Sequence, residues 1–380
     1  MKSFTPVYVP VGVPTFHLES AQRQFDLSAA LLRGVEESFV VPEKMLLSLD
    51  ELRAFDDRSF AYLFGAPDEE RSRETIEAVV KAAALKKEMR SLKMSAVGHT
   101  PQGFGFGRAL DSELMNAFGV ELEAIEAREL IDKAKTYSDE EVAAYLEKTE
   151  KMTCGLDKTP EHNRIDHARL MKAYSDYVRE HNIGALASRC WPDFFTAFGT
   201  PVCTVLSMLN DEGVAAACEA DIYGALSMWI GMQLSGEPVF FGDPVSLDEG
   251  ENTVTFWHCG AAACSLARHD TGAVVGVHPN RKIGPAMDFG CEAFPEATVF
   301  RIGREPDGFF RFFLTEGEAL DKPKQFIGTS IVVKTDSPAR EVVEKSVKDG
   351  FEPHFVVIRG RHAAALEELA NMYGFEVCRY

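Results

Sequence analysis

Several patterns that would fix a protein's class at once are missing from this sequence, and each absence narrows the field. No run of ~20 apolar residues occurs, so no membrane-spanning helix is expected. The opening MKSFTPVYVPVGVPTF is broken by Pro6, Pro10 and Pro14 and lacks the uninterrupted apolar core of a signal peptide. There is no basic excess: 40 Lys and Arg stand against 59 Asp and Glu, a formal charge of −19 spread along the chain. Such a surface repels phosphate backbones and anionic headgroups, which argues against nucleic acid and membrane as partners. None of the 8 cysteines forms a CxxC pair and several lie in apolar runs, so they read as reduced core thiols of a cytoplasmic protein. The glycine-rich GFGFG does not match GxGxxG, so no dinucleotide site is predicted, and a flexible loop is the plainer reading. Internal repeats and low-complexity linkers are also missing.

What is present is a globular composition, 46% hydrophobic and 26% charged over 380 residues, enough for two or three domains at ~100–200 residues each. PVYVPVGVPTF suggests a strand and turn, Leu18 to Arg33 an amphipathic helix, Phe39–Val41 a short strand, and Glu69 to Ser91 a charged helix. A first boundary falls near residue 92. KMSAVGHT then reads as a strand before the glycine loop, followed by a helix from Asp111, a strand AIEARELI, and helices over Ser138–Thr149 and His167–His181. Gly184–Arg189 reads as a strand, and DEGVAAACEADIYGALSMWIGMQLSG as one helix from Asp211 that Gly236 stops. From residue 237 the texture changes to strands: PVFFGDP, ENTVTFWHCG, ATVFRIG, GFFRFFLTEG and TSIVVKTD. The chain closes with PHFVVIRG, a helix over Arg361–Tyr373, and FEVCRY. The fold class is therefore α/β, with segments 1–92 and 93–236 followed by a β-rich segment 237–380.

Four residues in these segments have the chemistry of a metal site. Glu219 lies in the supposed helix among apolar neighbours, where an ionised carboxylate needs a cation or a salt bridge. Asp243 ends the run PVFF, as a ligand or as a turn former. His258 in TFWHCG and His354 before FVVIRG could each be a satisfied core histidine. Together, two carboxylates and two imidazoles suit Mn²⁺, Mg²⁺ or Co²⁺ better than a thiolate zinc site. A local basic cluster, His278, Arg281 and Lys282 in VHPNRKIG, stands out in an acidic chain and would suit an anionic substrate tail, although a solvated turn gives the same pattern. Trp191 of CWPDFF joins it as a substrate-binding candidate.

In their order and contexts these residues resemble the L-fucose and L-arabinose isomerase superfamily. The matching blocks are CWPDFF, PVCTVLSMLNDEGVAAACEADIYGALSMWIGMQLSGEPVFFGDP, FWHCGAAACSLA, HPNRKIGPA and PHFVVIRGRHAAALEELANMYGFEV; VGHTPQGFGFGRALDSELMNAFGVELE matches more loosely. The resemblance implies Rossmann-like N-terminal units, the first of them shortened here, before the β-rich C-terminal domain. It implies Glu219, Asp243 and His354 as metal ligands, with His258 a further ligand only in the arabinose isomerase branch. It also implies aldose–ketose isomerisation through an enediolate, with Glu219 and Asp243 moving the protons, and a closed homo-oligomer, trimeric or hexameric. The substrate is then a monosaccharide. A sulfonated or acidic sugar such as sulfoquinovose is the alternative raised by the basic cluster, and a non-catalytic sugar-binding relative is the other.

Overall fold

The computed structural model describes residues 5–11, 17–48, 51, 61, 63 and 66–380. The chain divides into two compact units, Met1–Glu88 with Ala364–Phe375, and Met89–Ala363 with Glu376–Tyr380. In the first unit, α1 (Leu18–Val35) buries Phe25, Ala29 and Leu32, the i, i+4, i+7 stripe that the sequence spacing predicts. The expected strands around it shrink to two parallel bridges, Val7 with Val40 and Val11 with Leu46. Val40 and Leu46 donate to the carbonyls of Pro6 and Pro10 at 2.8 Å each. Those prolines have no N–H to give back, so a ladder cannot extend. The remainder of PVYVPVGVPTF, residues 12–16, lies outside the described residues. Helix α2 (Glu70–Met89) is joined to the helix Ala363–Tyr373 by Lys86, whose ammonium lies 4.4 Å over the ring of Tyr373.

The second unit begins with a parallel sheet in the order β2-β1-β3-β4. Its strands are β1 (Lys93–Val97), β2 (Glu121–Ile125), β3 (Ala185–Ser188) and β4 (Ala215–Cys218), interleaved with α3 (Asp111–Phe118), α4 (Ala127–Ala134), α5 (Asp139–Met152), α6 (Glu161–His181) and α7 (Cys203–Asp211), and followed by α8 (Ile222–Ser235). Two expectations fail here. AIEARELI is a strand only to Ile125; Glu126 and Glu129 then form a capping box that starts α4. The long segment from Asp211 is not one helix. α7 ends at Asp211, AAAC becomes β4, and Asp221 caps α8 by accepting from Gly224 N at 2.9 Å. Alanine favours helix, but Ala215, Ala216 and Ala217 are almost fully buried and continue the sheet beside β3, so tertiary pairing overrides propensity. Glu219 thereby moves from mid-helix to the turn after a strand.

The β-rich part contains β5 (Phe240–Asp248), β6 (Thr253–His258), a short pair β7 (Val275–Gly276) and β8 (Ala286–Met287), β9 (Phe294–Arg304), β10 (Phe310–Ala319), β11 (Thr329–Thr335), α9 (Ala339–Lys348), β12 (Phe355–Arg359) and β13 (Glu376–Arg379). The sheet runs β11-β6-β5-β12-β9-β10-β13, and β11 also pairs with β10, so six strands close into a ring without a free edge. At the closure a side chain on Gly317 would have its Cβ 2.1 Å from the Lys334 carbonyl oxygen, so only glycine fits.

The helices beside the parallel sheet bury His167 of α6, whose Nε2 pairs with Thr149 Oγ1 at 3.0 Å. Burial depresses its pKa to about 4. A depressed value means stability that is present above the unfolded value of ~6.5 and is lost as pH falls towards 4. Replacing His167 by Gln should therefore shrink the fall in urea-unfolding free energy between pH 6.5 and 4 by about 3 kcal/mol. An equal fall in both proteins would refute the assignment.

Candidate active site

Strand register assembles most of the site. In the order β6-β5-β12, Asp243 lies opposite Trp257, and Phe355 lies opposite Gly242. His258, the last residue of β6, and His354, the residue before β12, therefore flank Asp243. Asp243 is not where a strand runs out, as the sequence suggested: β5 continues to Asp248 through a bulge between Pro244 and Ser246. Glu219 arrives from the parallel sheet, in the β4–α8 turn. Glu219 and His354 both adopt left-handed backbone, φ 58° and 70°, and Ala220 between Glu219 and the helix cap has φ 54°. Side chains rarely accept this conformation, which costs on the order of 1 kcal/mol or more each, and such strain gathers at functional sites.

His354 Nε2 lies 2.9 Å from Glu219 Oε2 and 3.7 Å from Asp243 Oδ1, while His258 Nε2 lies 3.9 Å from the same Glu219 oxygen. Both histidines are buried, and Glu219 and Asp243 are partly open at 13% and 31% side-chain exposure. The structure thus brings together all four residues of the predicted set. Ligand atoms of Glu219, His258 and His354 lie within 4.8 Å of one another, a spacing that would admit a cation. Burial works to raise the Glu219 carboxyl, but the neighbouring imidazoles of His258 and His354 outweigh it and hold the pKa below its usual value.

The sequence reading missed the group behind His354. Asp221 Oδ2 lies 3.0 Å from His354 Nδ1 and 2.6 Å from Arg301 Nη1, and Arg301 also donates to the His354 carbonyl at 2.9 Å. Burial would raise the Asp221 pKa, yet the Arg301 charge and the His354 hydrogen bond hold it well below the carboxylate range. An ionised carboxylate only accepts, so Nδ1 carries a proton towards Asp221; burial would lower the ring's pKa, but Asp221, Glu219 and the Asp243 charge outweigh it and raise it to about 9, and a cation between the carboxylates would take the place of the second proton, on Nε2. That buried Nε2 faces Glu219 Oε2 at ion-pair distance without the alignment of a hydrogen bond, and Asp243 Oδ1 stands beyond it at 3.7 Å. Two signals were available: an Asp just ahead of a helix, and an Arg inside the apolar strand ATVFRIG.

GFGFG is ordered. Gly105–Gly107 form a 3₁₀ turn, and a Cβ on Gly107 would come within 2.8 Å of Asp221 Cα, so the loop packs directly on the carboxylate's backbone. Phe104 stacks on His354 with centroids 6.1 Å apart, Phe106 lies at 5.8 Å and Phe241 at 4.6 Å. Trp191 meets Phe104 edge-on, and the Arg281 guanidinium lies 5.1 Å over the Trp191 ring. The basic cluster separates by role. His278 is buried and organises the turn, its Nδ1 accepting from Asn280 and Arg281 N–H at 3.2 Å each. Arg281 and Lys282 are exposed.

No family model matches the chain. The sulfoquinovose isomerase of Clostridium sp. (strain MSTE9) is 51% identical over 442 aligned positions covering 99% of each chain. That of Priestia aryabhattai is 32% identical over 452 positions, covering 100% of each, and that of Alkalicoccus urumqiensis is 37% identical over 84% of this chain and 71% of the relative. The first two alignments are longer than the 380 residues here, so those relatives carry segments that this chain lacks. All three names are those of an isomerase of a sulfonated sugar, the alternative that the basic cluster had raised.

Arg301 is 0% exposed and Asp221 1%, so removing one charge strands the other in a dry interior. Asp221→Ala should cost about 3–5 kcal/mol of unfolding free energy, and Asp221→Leu combined with Arg301→Met should recover most of it. A loss below ~1 kcal/mol for the single substitution in urea unfolding would show that the pair does not hold this centre.

Proposed function

The chain belongs to the sulfoquinovose isomerase family, and on that premise we propose that it interconverts sulfoquinovose and the corresponding ketose at a divalent-metal site formed by Glu219, Asp243, His258 and His354. That it is an aldose–ketose isomerase, an intramolecular oxidoreductase of carbohydrate metabolism, follows from full-length relatives at 32–51% identity. The observation that supports the metal is the buried Nε2 of His354, which faces the carboxylates of Glu219 and Asp243 at 2.9 and 3.7 Å with no aligned hydrogen bond to either. The oxygen and nitrogen donors suit Mn²⁺, Mg²⁺ or Co²⁺.

When bound, such an ion supplies the positive charge that polarises a carbonyl and stabilises an enediolate. The protein's own groups do the rest. Asp221, locked by Arg301, fixes the tautomer and orientation of His354. Glu219, kept ionised by two imidazoles, and the more open Asp243 shuttle protons between the substrate's carbon and its hydroxyl. Phe104, Phe106 and Phe241 keep bulk water from this exchange. Arg281, held over Trp191 and linked through Phe104 to His354, receives the sulfonate by a charge-assisted hydrogen bond, and Lys282 adds charge beside it.

Purified protein should hold about one Mn²⁺-like ion per chain. Glu219→Gln, Asp243→Asn, His258→Ala and His354→Ala should each lower both metal content by elemental analysis and isomerisation rate with added Mn²⁺. Full metal and turnover in the His354 variant would require a different centre. Arg281→Ala should raise KM for sulfoquinovose at least tenfold and leave the weak turnover of a neutral aldose unchanged, because one charge-assisted contact is worth about 1.5–3 kcal/mol. Equal effects on both sugars would remove Arg281 from sulfonate recognition.

A further inference from the structure

Behind the isomerase site lies a group of soft ligands that the reaction does not use. Cys218 ends β4 next to Glu219, Cys259 follows His258, and both thiols are buried. Ligand atoms of Cys218, His258 and Cys259 all lie within 4.8 Å of one another. His258 therefore faces two ways: Nδ1 is 3.6 Å from Cys259 Sγ, and Nε2 faces Glu219 at 3.9 Å.

We propose that Cys218, Cys259 and His258 Nδ1 form a second, soft-metal site, for Zn²⁺ or Cd²⁺, whose occupation takes His258 out of the isomerase centre. Two thiolates and an imidazole with an open fourth position match the donor set and number that these ions take. A neutral imidazole has a lone pair on one nitrogen only. With Nδ1 on the soft ion, Nε2 must carry the proton and can only donate to Glu219, so it cannot ligate an ion on that side. Mn²⁺ or Mg²⁺ would not compete for the thiols, since they prefer oxygen donors. Binding exchanges the thiol protons for the metal and involves no oxidation or reduction.

A neighbouring trio, Cys203, Cys259 and His278, has similar spacing but is the poorer site. His278 Nδ1 already accepts two backbone N–H groups, which places the proton on Nε2 and leaves no lone pair for the thiol side.

Capture of the ion needs no assumption about the reaction, whereas its effect on turnover rests on the role proposed above for His258. The test adds Cd²⁺ to the Mn²⁺-loaded protein and follows the ultraviolet thiolate-to-cadmium charge-transfer band together with isomerisation. The band should saturate at about one Cd²⁺ per chain as turnover falls at least tenfold, and both effects should vanish in Cys218→Ala and in Cys259→Ala. The band should persist in Asp243→Asn, which damages only the oxygen-rich site, and in Cys154→Ala, which removes an exposed thiol. Absence of the band in the unmodified protein, a result that depends on no variant folding, would overturn the proposal, as would its loss in Cys154→Ala and survival in the other two cysteine variants. A saturating band with undiminished turnover would overturn the coupling through His258 and leave the isomerase reading intact.

Discussion

The buried pair of Asp221 and Arg301 is the constraint on which the rest of the site depends. A carboxylate and a guanidinium removed from water lose several kcal/mol of solvation each, and they survive there only when nearly every polar atom is used. Asp221 meets that demand by serving three elements: it caps α8, accepts from His354 Nδ1 ahead of β12, and accepts from Arg301 of β9. Arg301 adds a bond to the His354 carbonyl, fixing backbone as well as side chain. One interaction thereby ties the turn after the parallel sheet to two strands of the closed sheet.

That anchoring makes the strained conformations affordable. Glu219, Ala220 and His354 hold left-handed backbone that would relax in an isolated loop. Here the turn between β4 and α8 is fixed at one end by sheet pairing and at the other by the Asp221 cap, and the ordered glycine loop presses on it from outside. The reward is direction: Glu219 meets His354, which flanks Asp243 by strand register, and the Nε2 of His354 is left without a hydrogen bond in the space they share. Carboxylate oxygen and thiol sulfur then stand on opposite sides of one imidazole, His258, with Glu219 facing Nε2 and Cys259 facing Nδ1.

The residue types that gather here and the basic cluster of the loop were legible in the sequence because they are properties of side chains and their order. Glu219, Asp243, His258 and His354 could be picked out as a donor set, and VHPNRKIG as a basic anomaly in an acidic chain, before any coordinates. The strands of the β-rich part were legible from alternation and from Gly and Pro turns. Their closure into a ring was not, since pairing between β10 and β11 leaves no mark beyond the glycine at its closest approach.

Tertiary structure alone decided the rest. Alanine-rich AAAC carries a helical preference, and only burial beside β3 makes it a strand, which moves Glu219 from a helix face to a strand-end turn. The partnership of Asp221 with Arg301, 80 residues apart, and the stacking of Phe104 on His354 involve separations over which local propensity carries no information. Sequence thus determined which donors and charges the protein has to offer. Long-range register and burial determined which of them share one space and which nitrogen of each imidazole faces it.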